Sequence, residues 1–274
     1  MTRHDELLRA VTSNVDDDAP RLAFADHIRG TEPDRARFIE DQLARASARR
    51  AQRGYVDTSE HPLLRAHRAE WTRTVARYAR DWAFDRGFIA KLTIEPNLFL
   101  EYGEWLMINF PLQVVTFTRP DDGDFPIAEL AASPLLSRLD AIIIRDVRLR
   151  ESDLAHLLAS PHLERLLYLS LDTDPISTAT YDRVAAAPAL RKLLVLGLGN
   201  EAPGQRFADT GSDDMQGRAI HAWTDISPEG KALEARHGYL PWLHPEHNFC
   251  DPLDASWYAA HGVLPAKLPG SPPG

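Results

Sequence analysis

The chain repeats itself at a period of 27 residues. Ser133-Pro134-Leu135-Leu136 returns as Ser160-Pro161-His162-Leu163 and again as Ala187-Pro188-Ala189-Leu190. Behind each copy stands the same apolar triplet: Leu139, Ile142 and Ile144; Leu166, Leu169 and Leu171; Leu193, Leu196 and Leu198. In extended chain, apolar side chains two residues apart share one face, and the residues between them point to the other. A unit this short cannot bury its apolar face alone, so successive units must stack and share a core.

Two degenerate copies precede these three: Leu112, Val115 and Phe117, and before them Ile89, Leu92 and Ile94. The pattern predicts five parallel strands between Gly87 and about Asn200. The connecting segments suit helices. One is Ser152–Ser160, with Ser152 as N-cap and Pro161 as stop; another is Asn97–Asn109, between Pro96 and Pro111. The L-x-x-L-x-L spacing resembles the strand signature of leucine-rich repeats, whose units run to 20–29 residues with an outer helix each. The expected fold class is therefore α/β. A helical N-terminal domain over 1–86 is followed by a short leucine-rich repeat solenoid of about five parallel strands with outer helices over 87–200. A loop and an irregular C-terminal cap take 201–274.

Composition narrows the function. Of the 274 residues 44% are apolar and 26% charged, as in ordinary globular proteins, and the net charge is −9. That sign argues against a nucleic-acid partner, which needs positive charge over its footprint. The arginines at 35, 37, 45, 49, 50 and 53 lie on a helical stretch diluted by Glu40 and Asp41, and read as a solvated face. The start, Met1 to Glu6, has no apolar leader segment. No run approaches membrane-spanning length, and the single cysteine, Cys250, rules out an intrachain disulfide framework. A cytoplasmic protein without membrane contact is expected.

The first 85 residues read as helices. One is Asp5–Ser13. A second is capped by Asp17 or Asp18, with Pro20 in its first turn and Gly30 at its end. A third runs from Asp34 to about Arg53, and a further segment opens at His61-Pro62. Three stretches carry a family resemblance: Asp5-Glu6-Leu7-Leu8-Arg9-Ala10-Val11, Asp16-Asp17-Asp18-Ala19-Pro20-Arg21-Leu22-Ala23-Phe24-Ala25-Asp26, and Arg37-Phe38-Ile39. Together they resemble the bacterial repeat-companion domain, which accompanies repeat regions, often leucine-rich ones. His27 stands where that family usually has tryptophan, and Arg29-Gly30 replaces an acidic pair. The resemblance implies architecture, not an activity. Asp18, Arg21 and Asp26 are expected to form a structural ion-pair and capping network.

After Gly199 the period stops. Gly199–Gly217 reads as a long surface loop, and a short helix follows from Ser227-Pro228 to His237, ended by Gly238. The aromatic, proline-rich remainder reads as an irregular cap. Within it, His244, His247 and Cys250 are spaced H-x-x-H-x-x-C, a pattern compatible with zinc ligation. There is no G-x-S-x-G nucleophile motif, and Gly197-Leu198-Gly199-Asn200 lacks the lysine and helix start of a phosphate loop.

The strand register assigns the outward-facing positions. Lys91, Val114, Ala141, Tyr168 and Val195 form one row, Thr93, Thr116, Ile143, Ser170 and Gly197 the next, and Glu95, Thr118, Arg145, Asp172 and Gly199 the third. Exposed Val114, Ile143 and Val195 need a cover, either a partner or the chain's own tail. The expected function is a non-enzymatic scaffold that binds a protein or peptide on the concave face. Tyr168 and Ile143 would supply contact area, and Lys91, Glu95, Arg145 and Asp172 charge complementarity. The alternative is an accessory or metal-binding subunit centred on His244, His247 and Cys250.

Overall fold

A computed structural model describes residues 1–51, 61–173, 177–198, 205–213, 219–244, 252–253 and 259; for 49–51, 205–213 and 219–225 it describes backbone alone. The first three helices are α1 (Arg3–Ser13), α2 (Ala19–Ile28) and α3 (Pro33–Ala51). Thr2 and Asp5 cap α1 reciprocally: Asp5 N donates to Thr2 Oγ1 at 3.2 Å and Thr2 N donates to Asp5 Oδ2 at 2.8 Å. Ahead of α2, Asp17 Oδ1 accepts from Ala19 N at 2.9 Å, while the Asp18 carboxylate accepts from Arg86. Helix α4 (Pro62–Trp71) is capped by His61, whose Nδ1 accepts from Leu63 N at 3.2 Å.

The expectation of helices up to residue 85 fails at its end. Ala79–Asp85 is a strand, β1, antiparallel to β2 (Phe88–Ile94). Two irregularities in its pairing break the alternation that would have marked it as a strand. The two strands join through Arg86 and Gly87, with φ of +47° and +83°. Positive φ at both central residues is the conformation that suits a two-residue hairpin.

From β2 onward the chain alternates. Helix α5 (Pro96–Asn109) leads to β3 (Val114–Phe117), α6 (Ile127–Ala132) to β4 (Ala141–Leu149), α7 (Glu151–Leu158) to β5 (Tyr168–Thr173), and α8 (Thr178–Ala186) to β6 (Val195–Leu198). The strands lie in sequence order in one six-stranded sheet, parallel from β2 to β6. Val114 pairs with Ala141, Ala141 with Tyr168, and Tyr168 with Val195, so each step across the sheet matches the sequence period.

The Ser-Pro and Ala-Pro turns explain that period. Each forms a tight turn that buries its leucine (Leu136, Leu163, Leu190) and returns a backbone bond three residues on. Leu139 N donates to Leu136 O at 3.1 Å, Leu166 N to Leu163 O at 2.9 Å, and Leu193 N to Leu190 O at 3.0 Å. One carbonyl then receives two amides of the next unit. Gln113 O accepts from Asp140 N and Ala141 N, Asp140 O from Leu167 N and Tyr168 N, and Leu167 O from Leu194 N and Val195 N. Helix α7 begins at Glu151, with Asp153 Oδ2 accepting from Arg150 N at 2.9 Å; Ser152 lies inside the helix and is not its cap.

The two faces of the sheet carry separate cores. On one, Leu92, Ile94, Val115, Phe117, Ile142, Ile144, Leu169, Leu171, Leu196 and Leu198 pack with apolar residues of α5 to α8. The N-terminal helices have their own cluster, from Leu7 and Val11 to Ile39 and Leu43, which Phe88 of β2 ties to the sheet. Residues 199–217 are not all loop, because Gln205–Asp213 (β7) pairs antiparallel with Ala219–Ile226 (β8). Helix α9 (Pro228–His237) forms as its residues predict, with Gly230 N donating to Ser227 Oγ at 3.2 Å and Gly238 at φ +84°. Leu240, Trp242 and Leu243 then join the main core, and the Pro241–Leu243 turn lies against β6.

Candidate functional site

On the face of the sheet away from the outer helices, the register gathers one row, Lys91, Val114, Ala141, Tyr168 and Val195, and beside it a second, Thr93, Thr116, Ile143, Ser170 and Gly197. This face is not bare. Ala90, Val114, Ala141 and Ile143 form a cluster of their own with Leu253, and Tyr168 packs against it. Leu253 is 9% exposed and Ile143 2%. Of the two covers that the apolar face called for, the chain's own C-terminal segment supplies one at this point. While Leu253 is seated, Ile143 is closed to an outside partner.

The other sequence-selected residues separate. Arg145 and Asp172 are exposed, at the break in register between the Ile144–Leu171 and Leu149–Thr173 pairs. A bulge between Ile144 and Leu149, with Asp146 at φ +61°, turns the chain at Arg145 away from the ladder. Lys91 and Tyr168 are half-buried. Glu95 is engaged within the fold: its Oε1 accepts from Arg80 Nη2 at 2.8 Å and its Oε2 from Asp121 N at 3.3 Å. The site is thus an apolar patch under Leu253 with an open, charged margin at Arg145 and Asp172. It presents shape and charge. Among the sequence-selected residues it gathers, none pairs a nucleophile with a base.

Of the three candidate metal ligands, His244 lies among the described residues. His244 faces α9, with Nε2 2.8 Å from Glu234 Oε1 and its ring 4.4 Å from that of Tyr239. His247 and Cys250 lie outside the described residues. Among the described residues no group of three His, Cys, Asp or Glu side chains is placed to hold a metal ion.

The Asp16-Asp17-Asp18 and Arg21 stretch serves the junction between helices and sheet. Asp18 Oδ1 accepts from Arg86 Nη1 at 3.0 Å. Gln113 Nε2 donates to Asp16 Oδ1 at 3.3 Å and to Asp140 Oδ2 at 2.9 Å. Arg21, fully buried, donates Nη1 to Asp17 O at 2.8 Å and lies 6.0 Å from the centre of the Phe88 ring; burial lowers it to about 10. Asp26 takes no part, since it meets Arg29 at the surface, 3.6 Å away. The expected ion-pair network is therefore centred on Arg86, Gln113 and Asp140, residues that no local sequence signal marked.

No helix among the described residues is long and apolar enough to cross a membrane. No protein-family model, curated protein or solved structure matches this chain.

Proposed function

We propose that this chain is a non-enzymatic binding scaffold of the repeat-companion kind, in which a short leucine-rich repeat solenoid holds an extended protein or peptide segment across its inner sheet face. The observation that carries the proposal is the seat of Leu253. A strand-lined apolar patch of Ala90, Val114, Ala141, Ile143 and Tyr168 already receives one aliphatic side chain, that of Leu253. A client that places a leucine or isoleucine in the same seat would gain the burial of that side chain, about 1.5–3 kcal/mol. It would meet Arg145 and Asp172 at the rim, where charge sets register and rate of encounter more than affinity. The register step that equals the sequence period, and the helices docked ahead of the first parallel strand, support the solenoid and companion parts of the proposal.

The test uses the full chain. Leu253→Asp removes the resident side chain and disfavours its return. A fluorescent peptide with the sequence of residues 248–258 is then titrated into wild type and variant. Saturable binding to the variant, at least tenfold weaker in wild type and lost on adding Tyr168→Ala, supports a face built to hold such segments. Equal and non-saturable signals in all three proteins, each shown folded by circular dichroism, would discard it.

A further inference from the structure

Arg138, Arg165 and Lys192 occupy the same place in the repeat, each just before the first apolar residue of its triplet, Leu139, Leu166 and Leu193. The turns ahead of β4, β5 and β6 therefore each carry one cation, in a protein of net charge −9. Two of these cations, with Thr12, Ser13, Val15 and Ser137, line a cleft of about 350 Å³ between the end of α1 and the turn ahead of β4.

The two arginines are held differently. Arg165 is matched by carboxylates: Nε donates to Asp140 Oδ1 at 2.6 Å, and Nη2 to Asp16 Oδ2 at 2.9 Å and to Asp140 Oδ2 at 3.4 Å. Arg138 has no carboxylate partner among the described residues. Its Nη2 donates to Thr12 O at 3.0 Å and Met107 O at 3.2 Å, carbonyls in the last turns of α1 and α5. Two helix C-termini thus fix the guanidinium in place through their partial negative charge. Its Nε and Nη1 donate to no acceptor among the described residues, and Arg138 as a whole is exposed. Partial burial and the neighbouring Arg165 both hold Arg138 below its ordinary pKa, as expected of a cation short of a counter-charge.

We propose that this cleft is a binding site for an oxyanion, a carboxylate or phosphate group of a small ligand, held by the unused donors of Arg138 and the Ser13 hydroxyl. A charge-assisted hydrogen bond to a guanidinium already positioned by two helix ends needs no reorganisation of the site. Asp140 and Asp16 anchor Arg165 and cancel its charge locally, so selectivity for an anion rests on Arg138. Lys192 extends the same series for a ligand that carries a second negative group. This proposal is independent of what occupies the sheet face.

The Arg138 Nε–H signal is followed by NMR in full-length protein. Sodium phosphate and sodium acetate are titrated separately at constant ionic strength, with sodium chloride as control. The expected result is a saturable shift with a Kd on the order of 1 mM, absent in chloride. Saturation by phosphate alone assigns a phosphoryl ligand; saturation by acetate as well extends the site to carboxylates. Arg138→Gln is expected to abolish binding of inorganic phosphate measured by calorimetry. Because that change also frees two helix ends, Ser13→Asp is the second variant. It keeps the clamp, places a fixed carboxylate beside Arg138, and should weaken phosphate at least tenfold. Equal, non-saturable shifts in all three salts, or phosphate binding unchanged in Ser13→Asp, would overturn the proposal.

Discussion

Arg86 and Asp18, 68 residues apart in the chain, meet at 3.0 Å and lock the N-terminal helices to the first hairpin. The Arg86 side chain is fully buried and spends its donors across the junction. Nε donates to Asp85 Oδ2 at 2.7 Å, and Nη2 to Val15 O at 2.8 Å and Gln113 Oε1 at 2.9 Å. Arg86→Ala breaks the buried ion pair with Asp85 and removes the bonds across the junction, and is expected to cost about 3–5 kcal/mol. Asp18 is partly exposed, and Asp18→Asn should cost only about 1 kcal/mol. Urea unfolding of both variants checks the ranking, and equal losses would contradict it.

Gly87 next to it is required twice over. Its φ is +83°, and a Cβ there would lie 2.6 Å from the Ile39 backbone and 2.5 Å from Ile39 Cγ1. Gly87→Ala therefore combines backbone strain with a clash against α3, and should cost more than about 2 kcal/mol. Gly30 has open space at its Cβ position, and Gly30→Ala should stay within about 0.5 kcal/mol of wild type. Thermal melts of the pair distinguish local crowding from a general intolerance of alanine.

The Arg35 guanidinium sits among aromatic rings: 4.8 Å from the centre of Trp71, 5.4 Å from Phe84, 5.5 Å from Phe38 and 5.6 Å from Phe88. Burial brings it down to about 10. A planar cation fits between rings where a compact ammonium does not. Arg35→Lys should lose about 1–2 kcal/mol, whereas apolar Arg35→Met should lose less. A lysine variant as stable as wild type would show that stacking contributes nothing here.

His67 joins α3 to α4. Its Nε2 lies 3.0 Å from Asp34 Oδ2, its Nδ1 3.3 Å from Glu70 Oε2, and its ring stacks on Trp71 at 4.9 Å. Those hydrogen bonds, to Asp34 first and then Glu70, raise its pKa above the ordinary value. A raised histidine binds its proton more tightly when folded. Its contribution is therefore fully present below the unfolded pKa, about 6.5, and is lost as pH rises through the folded value. The difference in Tm between wild type and His67→Gln should be positive at pH 6 and shrink towards pH 8.5. A difference that grows with pH would refute the sign.

Much of the parallel sheet was legible because buried strands leave a periodic trace. Leu139, Leu166 and Leu193 and the residues behind them recur at one spacing, and the turns that set this spacing carry their own Ser-Pro or Ala-Pro mark. Helix α9 was equally plain, with Ser227 before it and Gly238 after it. Two strand regions left no such trace. In β1 the irregular pairing scrambles the alternation of Trp82 and Phe84. Strand β7 draws on glycine, aspartate and threonine, and its backbone pairing with β8 needs no apolar pattern. The basic series at Arg138, Arg165 and Lys192 was visible in the sequence at the repeat period. Surface charges recur so often that only the cleft made it meaningful.

The sequence by itself determined the period, the order of parallel strands and which side chains face each way, because burial of a repeated apolar face constrains residues close together in the chain. The tertiary structure decided what met across long distances: Leu253 on the row of Val114 and Ala141, Arg86 on Asp18, and Arg138 against the ends of α1 and α5. Such contacts join segments tens to more than a hundred residues apart. A single chain records their residue types but not their pairing, since each partner would serve equally well against another neighbour until packing brings the two together.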